Sequence, residues 1–192
     1  MAIEKLDQLL REKYDKKMVL AVVASHDEKV LEAVLEANSL GIAEPILIGH
    51  KGKTERIAKE KGLKIDRFHI IDEKDLVKAA EIGVKLVREG KANFIMKGLV
   101  DTGTLMKAVL NREWGLRTET LLSHVMIYEI PTYPKLIYLT DGGMNLYPNL
   151  DQKIMIIENS VKAVKALGSK TVKVACLAAK EKVDPKMEAT ID

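Results

Sequence analysis

Apolar positions along this chain alternate between two rhythms. Ile3, Leu6, Leu9 and Leu10 recur at helical spacing and predict a first helix. Residues 18–24 then run apolar without a break, as a central strand does when a parallel sheet is covered on both faces. Asp27 is placed to cap a helix reaching Leu40, with Val30, Leu31, Val34 and Leu35 as its apolar stripe and Gly41 as its stop. The alternation continues with a strand at 45–49, a charged helix at 53–61 ended by Gly62, and a strand at 68–71. A helix at 74–88 closed by Gly90, a strand at 93–96 and a short helix at 102–110 follow. This order predicts an α/β fold with a doubly wound, mainly parallel sheet.

The pattern changes after Arg117. Two apolar runs, 125–130 and 136–139, are joined by Pro131-Thr132-Tyr133-Pro134 and read as an antiparallel hairpin. A helix at 150–167 comes next, with Asn149 and Gln152 as a capping-box start and Gly168 beyond its end. A last strand is expected at 172–177. The expected organisation is an N-terminal α/β domain over 1–118 and the first part of a second, incomplete α/β domain over 119–192.

Charge narrows the partners. The net +3 is too small an excess to indicate a nucleic-acid surface, yet it tolerates an anionic small molecule. Glu4, Lys5 and Asp7 interrupt any signal-peptide core, and no apolar run reaches membrane-spanning length. A soluble, cytoplasmic protein with no membrane partner is expected. Cys176 is the sole cysteine, which excludes an intrachain disulfide and a thiolate metal cluster from one chain. Its apolar surroundings place it in the core. No His, Asp and Glu spacing suits a metal, so no metal is expected.

The candidate chemistry gathers where strands end. Thr140-Asp141-Gly142-Gly143-Met144-Asn145 joins a buried strand to a helix, a corner at which α/β proteins hold ligands. Asp141 and Asn145 can orient a polar group, and Gly142 and Gly143 expose backbone N–H groups. A tight turn without a ligand accounts for the same residues. Lys97-Gly98 ends another strand and leads to Thr102, Thr104 and Lys107, where hydroxyls, a glycine backbone and a helix start suit a phosphate and Lys97 supplies a mobile charge. An ordinary capped helix with surface lysines is the competing reading. The spacing matches neither a Walker loop nor a dinucleotide fingerprint. Arg117 is placed to clamp an anion or to serve as a solvated or interdomain charge. His124 is placed to line a cleft, but Ser123 beside it is no catalytic partner, because neighbours on a strand face opposite ways. His26 lies at the ligand-facing end of the first strand, while His50 and His69 look incidental.

Several motifs occur in order: Met96-Lys97-Gly98-Leu99-Val100, Leu105-Met106-Lys107-Ala108-Val109-Leu110-Asn111, Gly115-Leu116-Arg117 and Leu121-Leu122-Ser123-His124-Val125. Thr140 to Asn145, Ile157-Glu158-Asn159, Asp184-Pro185-Lys186-Met187 and Ala189-Thr190-Ile191-Asp192 follow. Together they resemble the phosphate acetyl/butyryltransferase family, and its butyryltransferase branch most closely. The resemblance implies reversible transfer of a butyryl or other short acyl group between CoA and inorganic phosphate. It also implies two α/β domains of the isocitrate/isopropylmalate dehydrogenase-like type and a homo-oligomer. CoA is then a substrate, and no cofactor performs the chemistry. Asp192 lies in the region similar to that of the family's acid-base residue, and Thr190 near that of its serine. Lys107 lies beside Met106, where acetyltransferases of the family carry a CoA-side arginine. Members of this branch are longer than 192 residues. The resemblance therefore implies a chain that stops inside the second domain and is inactive by itself. A non-catalytic CoA- or phosphate-binding module, or a structural α/β domain, is the alternative.

Overall fold

A computed structural model describes residues 3–11 and 17–192. Contacts divide the chain into two compact units, Glu12–Thr118 and a second made of Met1–Arg11 with Glu119–Asp192. The N-terminal helix α1 (Leu6–Arg11) thus groups with the later part of the chain.

The first unit is built on β1 (Met18–Val23), β2 (Ala43–Gly49), β3 (His69–Asp72) and β4 (Phe94–Lys97). All pair in parallel in the order β3-β2-β1-β4. Helices α2 (Glu28–Ser39), α3 (Lys51–Lys61), α4 (Leu76–Arg88) and α5 (Thr102–Val109) connect and follow them. The α/β, doubly wound expectation holds, with strand and helix limits displaced by a residue or two.

Side-chain alternation along β1 explains the two layers. Leu20 and Val22 enter one core with Leu31, Val34, Leu47 and Ala58, whereas Ala21 and Val23 enter another with Ile48, Ala79, Ala80 and Val84. Strand side chains alternate faces, so one apolar run feeds both layers. Asp27 accepts the Val30 N–H at 3.0 Å and starts α2; Gly62, in the left-handed region at φ 66°, ends α3. The helix–sheet approach is tight at Gly83, where a Cβ would stand 2.5 Å from Val23 Cγ2.

Because the chain runs from β1 to β2 on one side and later places β4 on the other, the strand order reverses beside β1. That reversal opens the carboxyl ends of β1 and β4, the position at which open α/β sheets hold ligands.

In the second unit, β5 (Met126–Tyr128) and β6 (Ile137–Leu139) form the expected antiparallel hairpin. Helix α6 (Leu150–Ala166) begins with the expected reciprocal capping box of Asn149 and Gln152. A single 3-10 turn covers Glu188–Thr190. The strand expected at 172–177 is absent among the described residues. This run is irregular, with Leu177 84% exposed and Cys176 also exposed rather than in the core. An apolar run becomes a strand only where another strand takes its N–H and C=O groups, and none pairs with this one among the described residues. No helix among the described residues is long and apolar enough to cross a membrane.

Candidate functional site

The corner after β4 is fixed by backbone. Gly98 donates its N–H to Val23 O at 2.7 Å, and Leu99 to Ala24 O at 2.9 Å. A Cβ on Gly98 would lie 2.3 Å from Ala24 O and 2.7 Å from Val23 O, so only glycine fits. Ala24 is itself buried at φ 57°, a backbone region that alanine rarely adopts. The β1–α2 and β4–α5 loops are thereby fused at the carboxyl edge of the sheet.

Lys97 is tethered rather than mobile: its Nζ donates to Val100 O at 2.8 Å, within its own loop. Helix α5 is capped by Asp101, which accepts the Thr104 N–H at 2.8 Å and the Thr104 hydroxyl through its other oxygen. Those hydrogen bonds hold the Asp101 carboxyl below its usual range. The groups on which the phosphate reading drew at Thr104 are thus engaged by a carboxylate that the motif search passed over. Its position just before the helix start is the signal that would have found it. Thr102 is the exposed first residue of α5, and Lys107 lies exposed in its last turn. Arg117 is exposed at the end of this unit. The turn before it is held by Arg88, which donates to Glu113 O at 2.7 Å and Gly115 O at 3.2 Å.

The corner after β6 is fixed by side chains. Asp141 accepts the Met144 N–H at 3.0 Å and the Gly143 N–H at 3.4 Å. Its second oxygen accepts the Asn145 amide, which also donates to Leu122 O at 3.0 Å. Burial alone would raise the Asp141 pKa. Hydrogen bonds from Met144, Asn145, Gly143 and His124 outweigh it and leave the carboxyl below its ordinary 3.8. Gly142 is exposed, and Gly143 spends its N–H on Asp141. His124 has an exposed side chain, and its carbonyl accepts the Thr140 hydroxyl at 2.8 Å. Asn159 of α6 adds a clamp, donating to Leu121 O at 2.8 Å and Ser123 Oγ at 3.0 Å. Nothing local in the sequence links Asn159 to residues nearly forty positions earlier.

Thr190 and Asp192 lie beside one another at the 3-10 turn. The Thr190 hydroxyl accepts the Asp184 N–H at 2.8 Å and bonds the Met187 carbonyl at 2.8 Å. The Asp192 carboxylate is ion-paired with Lys153 of α6, both side chains being partly covered. Lys153 is a further residue that the motif reading did not single out.

Comparison with known proteins decides the kinship. The family model described as phosphate acetyl/butaryl transferase matches residues 1–82 and 73–192. The chain belongs to that family. Among the transferase family's members, the phosphate butyryltransferase of Clostridium acetobutylicum is 44% identical across 90% of this chain and 58% of its own length. The phosphate acetyltransferase of Thermotoga maritima is 38% identical across 100% of this chain and 64% of its own. A solved branched-chain phosphotransacylase from Enterococcus faecalis V583 matches with a TM-score of 0.75 and 27% identity, across 91% of this chain and 60% of its own. The chain therefore spans about 58 to 64% of the length of these relatives.

Proposed function

We propose that this protein is a phosphate acyltransferase that moves a butyryl or other short acyl group between CoA and inorganic phosphate. The observation that carries this reading is the family match running through the whole chain, with a relative named phosphate butyryltransferase at 44% identity.

The site residues supply chemistry of the right kind. A CoA thiol attacks an acyl phosphate only once deprotonated, because the thiolate is the nucleophile. Asp192 takes that proton in this reading, with Lys153 as its ion-pair partner. The thiolate then adds to the acyl carbon, and the C–O bond to phosphate breaks, releasing inorganic phosphate and acyl-CoA. Lys97, Lys107 and Arg117 offer positive charge, and the exposed Gly142 offers a backbone donor, for the phosphate and the carbonyl oxygen. Thr102, Thr104, His124, Asp141, Gly143 and Asn145 shape the two corners. No metal or bound cofactor takes part in this scheme, and the protein works as a cytoplasmic homo-oligomer.

Butyryl-CoA formation from butyryl phosphate and CoA is the direct readout, and turnover by the 192-residue chain, which spans 58% of the butyryltransferase relative, overturns the expectation that it is inactive by itself. Turnover that falls by about 100-fold or more in Asp192→Asn supports the reading and its base. Binding of CoA and phosphate without turnover fits the non-catalytic module instead. Failure to bind either ligand overturns both.

A further inference from the structure

Met126 stands on β5 beside the corner after β6, and the scheme above leaves it unused. We propose that Met126 lines an acyl-chain subsite and sets the chain-length preference, with the carbonyl end of a short saturated acyl group held at Gly142. The inference rests on the acyltransferase reading and adds to it the residue that measures the chain.

The hairpin register sets Met126 opposite Leu139 and Tyr128 opposite Ile137. Side chains two apart on a strand share a face, so these four make one side of the hairpin, and Ile127 and Tyr138 belong to the other. The Tyr128 hydroxyl donates to Met126 Sδ at 3.5 Å, as a shared face requires. Tyr128 is 39% exposed and Leu139 38%, so this apolar face is open to a ligand. Its end adjoins the corner. A Cβ on Gly142 would stand 3.8 Å from the Met126 methyl and, apart from its chain neighbours, would meet nothing else within 4 Å among the described residues. A Cβ on Gly143 would meet nothing within that distance. The corner is thus roomy above two glycines, and the thioether methyl is the wall beside it.

Charge decides which part of a substrate fits. Asp141 accepts the N–H groups of Gly143 and Met144 and the Asn145 amide, and so occupies those donors. A carboxylate disfavours a second anion beside it, but not an uncharged acyl carbonyl. The exposed Gly142 is left to donate to that oxygen. Beyond the carbonyl, the alkyl chain runs onto the face of Met126, Leu139 and Tyr128. A few polar groups beside an apolar wall are the ordinary make-up of a small-molecule site. The unbranched, rotatable methionine adapts to an alkyl chain more readily than a stiff side chain would.

The test titrates the 192-residue chain, carrying isotope-labelled methionine methyl groups, with CoA, acetyl-CoA and butyryl-CoA. The Met126 methyl, assigned by the signal lost in Met126→Leu or Met126→Ala, should move further with butyryl-CoA than with CoA. Each methylene laid on the face should tighten binding by about two- to fourfold, so butyryl-CoA should bind about 4- to 16-fold tighter than acetyl-CoA. Met126→Leu, which keeps the bulk, should retain that ratio within about twofold, whereas Met126→Ala should bring it below about threefold. A Met126 methyl that butyryl-CoA leaves unmoved overturns the proposal. Equal affinity for the two thioesters overturns it as well, and the unsubstituted chain alone decides this. CoA binding without a chain-length gain removes the subsite and leaves the acyltransferase reading standing. Failure to bind any of the three removes both.

Discussion

The corners after β4 and after β6 use similar residues and are built by different means. At Gly98 the chain is held by main-chain hydrogen bonds to β1, over a core in which Val23 and Ala24 are fully buried. At Asp141 it is held by carboxylate and amide side chains, with exposed Gly142 and Gly143 above a three-residue hairpin pair. Steric exclusion fixes the first corner, whereas the second depends on hydrogen bonds that water can replace. Two stretches that look alike as motifs should therefore respond differently to substitution and to acid.

The largest effect is expected at Gly98. Gly98→Ala forces a carbon against two carbonyl oxygens and should cost about 3 kcal/mol in denaturant melts, with the loops after β1 and β4 losing amide protection together. Asn145→Leu should cost less, about 2 kcal/mol, because it strands Leu122 O and one Asp141 oxygen that are only partly buried. Asn159→Ala is expected to cost about 1 kcal/mol, read as weaker protection of residues 121–123. If Asn145→Leu proved as damaging as Gly98→Ala, the contrast between a steric and a hydrogen-bonded corner would fail.

Acid gives the smallest and sharpest comparison. The Asp141 pKa is depressed in the folded chain, so its contribution to stability is complete above the unfolded value near 3.8 and disappears as pH falls through the lower folded value. His26 is also depressed, but here the neutral ring is the favoured form. Its contribution is complete above 6.5 and is lost as pH falls toward the folded value. Melts of Asp141→Asn and His26→Gln across pH should each lose the parent's dependence in its own window. A parent curve that is flat through both windows would contradict the two assignments.

The first unit was readable because burial on both faces writes continuous apolar runs, and α2 and α3 carried local signals in the cap at Asp27 and the stop at Gly62. The hairpin and the capping box at Asn149 were equally local signals. The run at 172–177 misled because its composition suits a strand while a strand also needs a partner, which composition does not encode. Cys176 followed it into the wrong environment. At the corners, glycines and acids were visible, but their engagements were not. Lys97 turned back to Val100, Asp101 filled the start of α5, and Asn159 reached across nearly forty residues to Leu121. His50, read as incidental, caps α3.

The end of β1 carries one practical consequence for directed evolution. Val23 meets Gly83 on one side, and Gly98 meets the carbonyls of Val23 and Ala24 on another. A library that randomised these four positions would mostly sample unfolded chains. Diversity placed at His26, Lys97 and Asp101 would instead alter what the loops offer to solvent while the strand beneath them stays unchanged.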